Sequence, residues 1–306
     1  AKDANKEYIE FRSEARTGIR LSQEEIFNIN NIITPLIRDK NQSINHVFIN
    51  NPDLLYFSKP TFYSYVNLNL FSFRNIDLAR KVKYKPRNDN EKRRTRKETV
   101  IRIGRTYNDF NDYLAINPNA SIVKMDTVEG VKGGKVLLTL LFRNYNFMLI
   151  FLMETKTMHE VEKVFIKIKK LLGLDTFKRL FEVILTDNGS EFFNPISIEV
   201  DYNTGEVLSH IFYCDPNCPY QKGSIEKNHE YIRYILPKKT SFNNLTQEDC
   251  DLIASHINST NRIILNNKTP YEAVQNLMDI EIISKLNIKF IAHDKVDLSH
   301  DLLKKN

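Results

Sequence analysis

A chain of 306 residues, 42% hydrophobic and 27% charged, is long enough to bury a full core and to divide into one large domain and a smaller one. Three cysteines, Cys214, Cys218 and Cys250, are too few for a disulfide framework, and the longest apolar runs, 136–142 and 147–153, are too short to span a bilayer, so a soluble protein of a reducing, intracellular compartment is expected. The net charge of +6 hides its distribution, because residues 80–97 alone hold ten Lys or Arg against Asp89 and Glu91.

Residues 1–20 are polar, lack a sustained period and are assigned no function; Ala1 is not an initiator methionine, which suggests numbering that begins inside a longer protein. From Leu21 the texture changes. Ser22-x-x-Glu25 forms a capping box, and Ile26, Ile29, Ile33 and Leu36 follow at helical spacing. Ser43 caps a second segment over 44–49, and Ser58 caps a third whose Phe62, Tyr65 and Val66 share a face. Three short helices with polar turns predict a helix-turn-helix region over 1–73. Its third helix, 59–68, would set Thr61, Tyr63, Ser64 and Asn67 near base edges and Lys59 on a phosphate, although such packing also occurs in proteins that never touch DNA. A basic linker over 74–105 follows, with Arg80, Lys81, Lys83, Lys85, Arg87, Lys92, Arg93, Arg94, Arg96 and Lys97 suited to tracking a phosphate backbone; the plain alternative is a solvated tether.

Residues 106–240 carry the pattern of a catalytic core. After a helix over 106–113 come strands over 121–128, 135–142 and 147–153, separated by a glycine turn (Gly130, Gly133, Gly134) and a polar turn, which is an antiparallel meander. Thr157-x-x-Glu160 opens a helix with an apolar stripe of Val161, Val164, Phe165, Ile168, Leu171 and Leu172, ended by Gly173. A crossover helix of this kind predicts that the next strand, 183–185, joins the sheet in parallel. A turn or small hairpin over 194–208, a strand over 209–214 and a helix over 221–236 complete an α/β fold: a five-stranded mixed sheet flanked by helices, preceded by an all-α domain. On the last helix Ile225, His229, Ile232 and Leu236 form the apolar face and Lys222, Glu226, Glu230 and Arg233 the polar one. In a C-terminal helical extension, 241–306, Thr246-x-x-Asp249 and Thr269-Pro270 open two further helices, and Leu302 and Leu303 are candidates for docking on a partner subunit.

Three acids stand out: Asp126 near the end of the first strand, Asp187 just after the fourth, and Glu226 on the polar helix face. One strand-end aspartate alone is more often a turn residue than a ligand. The three together, separated by 60 and 38 residues and delivered from strand, strand and helix, resemble the DDE integrase and transposase superfamily. Within it, MDTVEG, LTDNGSEF and YQKGSIEKNHEYIR are most similar to the bacterial insertion-sequence 30 family, over roughly 21–305. The resemblance implies a ribonuclease-H-like core and a catalytic, metal-binding triad of Asp126, Asp187 and Glu226. It further implies two Mg²⁺ or Mn²⁺ ions per active site, and cleavage that exposes a 3′-hydroxyl which then attacks another phosphodiester. The implied partners are double-stranded DNA, both the element's terminal inverted repeats and a target, in a homo-oligomer of at least two subunits at the bacterial nucleoid. Hard oxygen ligands suit such cations, and without metal three clustered acids would repel one another. A non-catalytic DNA-binding regulator and a structure-selective nuclease on the same fold are the rival readings.

Around the triad, Glu230 lies one turn beyond Glu226 and also competes as the third acid; motif alignment favours Glu226. Lys222 and Arg233 flank it and would hold phosphates or form surface salt bridges. Asn188 suits either a water-orienting role or a turn, His229 is expected to be packed, and Glu191 to be a surface acid of a short helix. Cys214-x₃-Cys218 reads as half a zinc site or as buried thiols.

Overall fold

A computed structural model of the chain describes residues 20–79, 100–216 and 218–304. It divides into two compact units, Ala1–Tyr84 and Lys85–Asn306. The whole basic stretch, Arg80 to Lys97, lies outside the described residues.

In the first unit the capping box closes as the sequence requires: the Glu25 amide donates to Ser22 Oγ at 3.2 Å and the Ser22 amide to Glu25 Oε2 at 2.7 Å, starting α1 (Gln23–Thr34). Ser43 and Ser58 cap α2 (Ile44–Asn50) and α3 (Lys59–Asn67) through their hydroxyls alone, which accept from the His46 and Thr61 amides. The helices bury Ile29, Ile33, Val47 and Phe62. Phe71 and Phe73 stack on one another, centroids 5.2 Å apart, and Phe73 stacks on Phe62, so this core continues past residue 73 to Leu78.

The described part of the second unit opens with a short turn and α4 (Tyr107–Ile116), then the meander β1 (Ile122–Glu129), β2 (Val136–Phe142) and β3 (Phe147–Met153). Helix α5 (Met158–Leu172) buries Val161, Val164, Phe165 and Ile168 and ends at Gly173, whose φ of +80° turns the chain into a further helix, α6 (Leu174–Leu180). Strand β4 (Val183–Thr186) then pairs in parallel with β1. It is followed by the short α7 (Pro195–Glu199) and by β5 (His210–Tyr213), parallel to β4. The sheet order is β3-β2-β1-β4-β5, the expected five-stranded mixed arrangement. Of the turn or small hairpin expected over 194–208, the Val200–Val207 antiparallel bridge closes a small hairpin around Asp201–Gly205, and α7 precedes it.

Both outer edges of the sheet are covered. Residues 102–105 lie along β5, where the Tyr213 amide donates to the Arg105 carbonyl at 2.8 Å and the Arg105 guanidinium pairs with buried Glu199. On the other side, after α8 (Gly223–Ile235), helix α9 (Gln247–Asn258) presents side-chain amides to β3. The C-terminal helices α10 (Pro270–Val274) and α11 (Ile280–Lys285) share the sheet's apolar core rather than standing apart from it. Leu302 is 6% exposed within that core and Leu303 packs against it, so these leucines serve the chain's own interior and not a partner's surface.

Candidate active site

The parallel register of β1 and β4 sets Lys124 opposite Leu185, so two residues further on Asp126 and Asp187 emerge side by side. Each is oriented by backbone: the Thr127 amide donates to Asp126 Oδ1 at 2.8 Å, and the Gly189 amide to Asp187 Oδ1 at 2.9 Å in an Asx turn. Their other oxygens converge on one cation. Lys222 Nζ is 2.9 Å from Asp126 Oδ2 and 3.3 Å from Asp187 Oδ2, and the lysine side chain is only 8% exposed. Burial opposes the charge on Lys222, yet Asp126 and then Asp187 hold its pKa above the ordinary lysine value. Lys222 therefore sits between the aspartates and not on an outer phosphate-facing stripe. The 3₁₀ turn Pro219–Lys222 ends at this residue, and α8 starts after it.

His229 and Arg233 extend the contacts of α8 along β1. His229 Nε2 is 2.8 Å from Thr139 Oγ1, which spends its single hydrogen on the Asp126 carbonyl at 3.0 Å, so Nε2 carries the ring proton. The Nδ1 lone pair then faces Asp126 Oδ2 at 4.0 Å. Burial drives the imidazole pKa down to about 4, so the ring is neutral. The packed histidine expected from sequence thus also supports the strand that carries Asp126. Arg233, half-buried, donates to the Glu129 carbonyl at 2.7 Å, which turns its guanidinium toward the sheet. Glu226 is exposed in the first turn of α8, one turn before His229. Among the described residues no three His, Cys, Asp or Glu side chains converge as a metal-holding set: the aspartates are brought together and Glu226 stands off from them.

Glu191 was expected on the surface and is instead 3% exposed. Its Oε1 accepts from Thr127 Oγ1 at 3.0 Å and lies 3.3 Å from Lys156 Nζ, while Oε2 is buried without a hydrogen-bond partner. The carboxylate folds back under Gly189, where a Cβ would meet its atoms at 2.6–2.8 Å. Gly189 has an ordinary φ of −65°, so glycine is needed there for space. Glu191 thereby ties the turn after β4, bearing Asp187, to the residue beside Asp126. Asn188 donates to the Cys214 carbonyl at 2.8 Å, a turn-securing role. Cys214 is buried and its thiol pKa is pushed up to about 12 by that burial, the behaviour of a packed thiol; all three cysteines are free.

In the first unit, Lys59 Nζ donates to Asn45 Oδ1 at 2.6 Å and lies over the Phe48 ring, so its charge is held within the fold. The hydroxyls of Thr61 and Ser64 bond to Ser58 Oγ and the Pro60 carbonyl, and Asn67 Oδ1 accepts from Asn75. Tyr63 is 39% exposed.

No protein-family model matches the chain. It is similar to the ORF3 product of Spiroplasma virus SpV1-R8A2 B, described as an integrase, with 27% identity over 212 residues, 67% of this chain and 59% of that protein. It is also 30% identical over 150 residues to transposase InsI for insertion sequence element IS30C of Escherichia coli K12, covering 49% of this chain and 37% of the relative. These similarities are to an integrase and to insertion-sequence transposases, the latter over about half of this chain. The chain spans well under two thirds of the length of the curated proteins it matches. A chain of a simian T-cell lymphotropic virus intasome, solved with the PP2A regulatory subunit B56 gamma, superposes on 50% of this chain and 53% of its own length. The TM-score is 0.38 at 19% identity, too loose a likeness to carry an argument. Among its described residues no helix is long and apolar enough to cross a membrane.

Proposed function

We propose that the chain is a metal-dependent DDE transposase that cuts and rejoins DNA at the terminal inverted repeats of an insertion sequence. The observation that carries this reading is the buried Lys222 ammonium lodged between Asp126 and Asp187, because it marks a point where two hard-oxygen donors already stabilise a cation. Carboxylates are the donors Mg²⁺ and Mn²⁺ prefer, so the residues fit the group that the relatives suggest. Asp126 and Asp187 would hold it from the sheet and Glu226 from the first turn of α8. When bound, divalent cations supply activation of an attacking water or 3′-hydroxyl and charge stabilisation at the phosphodiester.

The chain's own groups set up that chemistry. The Thr127 and Gly189 amides fix one oxygen of each aspartate and leave the other directed at the shared point. His229, neutral and hydrogen-bonded to Thr139, keeps a second positive charge away from Asp126. Sequence-specific binding is assigned to the first unit and the basic linker, with Tyr63, Ser64 and Asn67 the exposed candidates for a base edge. Assembly of two or more copies on DNA belongs to the same reading.

The test uses a labelled duplex carrying the ends that flank this chain's own gene, with Mg²⁺. Cleavage followed by joining to a second duplex is expected from the wild-type chain and not from Asp187→Asn. Hydrolysis without joining would mean a nuclease, and end binding without either would mean a regulator.

A further inference from the structure

Lys222 is more than a neutralising neighbour. The residue before it is locked from two sides: Lys124 Nζ donates to the Gln221 carbonyl at 2.9 Å, while the Gln221 amide group bridges to the Asp215 amide at 2.8 Å and carboxylate at 2.9 Å. The backbone thus delivers the ammonium to one place, and the flexible four-carbon stem lets it leave without moving that backbone. Two carboxylates with oxygens facing one point repel unless a cation lies between them. In this fold the chain supplies its own.

We propose that Lys222 competes with the divalent cation: its ammonium holds Asp126 and Asp187 together in the metal-free protein and must withdraw before a cation can take the same oxygens. This rests on the metal-dependent reading above. The competition lowers the apparent metal affinity, because binding a cation includes the cost of removing a buried, doubly paired ammonium. It also keeps the empty site from pushing the β1 and β4 ends apart. The apo site is therefore not the repulsive acid cluster that composition alone suggests.

The test titrates Mn²⁺ into the full chain without DNA at constant ionic strength, reading free Mn²⁺ by electron paramagnetic resonance and the melting temperature in parallel. Lys222→Met is expected to melt below wild type without metal, to bind Mn²⁺ with a midpoint about tenfold lower, and to gain more in melting temperature at saturation. Lys222→Arg is expected to stay near wild type. In the wild-type chain, Lys222 is expected to resist an amine-acylating reagent without metal and to be labelled once Mn²⁺ is added, a readout that does not depend on any variant folding.

Equal midpoints for Lys222→Met and wild type, or labelling of Lys222 that is unchanged by Mn²⁺, would overturn the competition while leaving the metal site standing. Weaker binding by Lys222→Met would also overturn it, making the lysine a supporter of the site. Binding that survives Asp126→Asn and Asp187→Asn, or that is absent from wild type and Lys222→Met alike, would remove the metal reading itself and the proposal with it.

Discussion

Along the outer edge of β3, Asn258 accepts from the Met148 amide at 2.9 Å and donates to the Met148 carbonyl at 2.8 Å, and Gln247 does the same for Leu152 and Ile150. At the ends of β1 and β4, Asp126, Asp187, Lys222 and Glu191 face the same sheet with formal charges, a half-exposed Asp187 and a buried oxygen on Glu191 that has no partner. The first set is neutral and saturated, so it closes a strand edge that would otherwise pair with another chain. The second is charged and incompletely satisfied, which costs stability and is retained where chemistry needs groups that can change partners. The contrast predicts that substitutions at the two places fail in different ways.

The largest effect is expected at the charged end. Asp187→Asn or Glu226→Gln preserves side-chain size but removes a charged ligand, so cleavage and joining should fall at least about a thousandfold with a melting temperature near wild type. A retained rate for Glu226→Gln would detach the helix from the active site. At the neutral end, Asn258→Leu should instead leave the Met148 amide and carbonyl buried and unpaired, costing about 2–4 kcal/mol of unfolding free energy by denaturant titration. Its rate per folded molecule should be unchanged.

How much of this was readable beforehand differs between the two places for a physical reason. The strands were legible almost to the residue because apolar runs such as 136–142 are bounded by turn residues, and the caps at Ser22, Ser43 and Ser58 announce their helices. Asp126 and Asp187 were legible as strand-end acids. Lys222 was misplaced because helical phase was extended two residues too far: it closes a 3₁₀ turn, where the 3.6-residue period does not apply. Glu191 was misread because its burial comes from a close approach to Gly189, and a glycine at an ordinary φ leaves no local signal of the space it provides. The helix Pro195–Glu199 is too short for a period, and Leu302 joins the core from an irregular segment that has none.

The buried histidines allow the neutral framework to be examined by pH. His256 accepts from the Asp297 amide at 2.9 Å through Nδ1, and burial drives its pKa down from 6.5 to about 4. Between those values the unfolded chain binds a proton that the folded chain does not, so stability rises with pH across the window and is lost as pH falls from about 6.5 toward 4; below that no more is lost. The loss from this residue should reach at most about 3 kcal/mol. Replacing it by glutamine, which can still accept the Asp297 amide, should flatten the stability profile in that window relative to wild type, and parallel profiles would contradict the assignment.

Glu191→Gln tests whether the turn after β4 needs its charge. The amide still fills the space under Gly189 and can accept from Thr127, but loses the attraction to Lys156, so a rate reduction of about tenfold is expected, with stability lowered by about 1 kcal/mol. Gly189→Ala should be worse than Glu191→Gln, because the added methyl group would overlap the carboxylate. If Gly189→Ala were recovered by Glu191→Ala in a double variant, the space between them would be established as the constraint.

The smallest effect separates the two glutamates of α8. Lys222 and His229 both approach Asp126, and on α8 Glu226 lies one turn before His229. Glu230 is rotated about a further 40° away from His229 on an ideal helix, at four residues and 3.6 per turn, and one turn further from Lys222. A substitution there removes an interaction of the helix surface, worth about 0.3–0.5 kcal/mol, and no ligand. Glu230→Gln should therefore cleave and join within about a factor of two of wild type under the assay that inactivates Glu226→Gln. A collapse for Glu230→Gln beside a functioning Glu226→Gln would move the third acid one turn along the helix while leaving Asp126, Asp187 and the Lys222 bridge where they are.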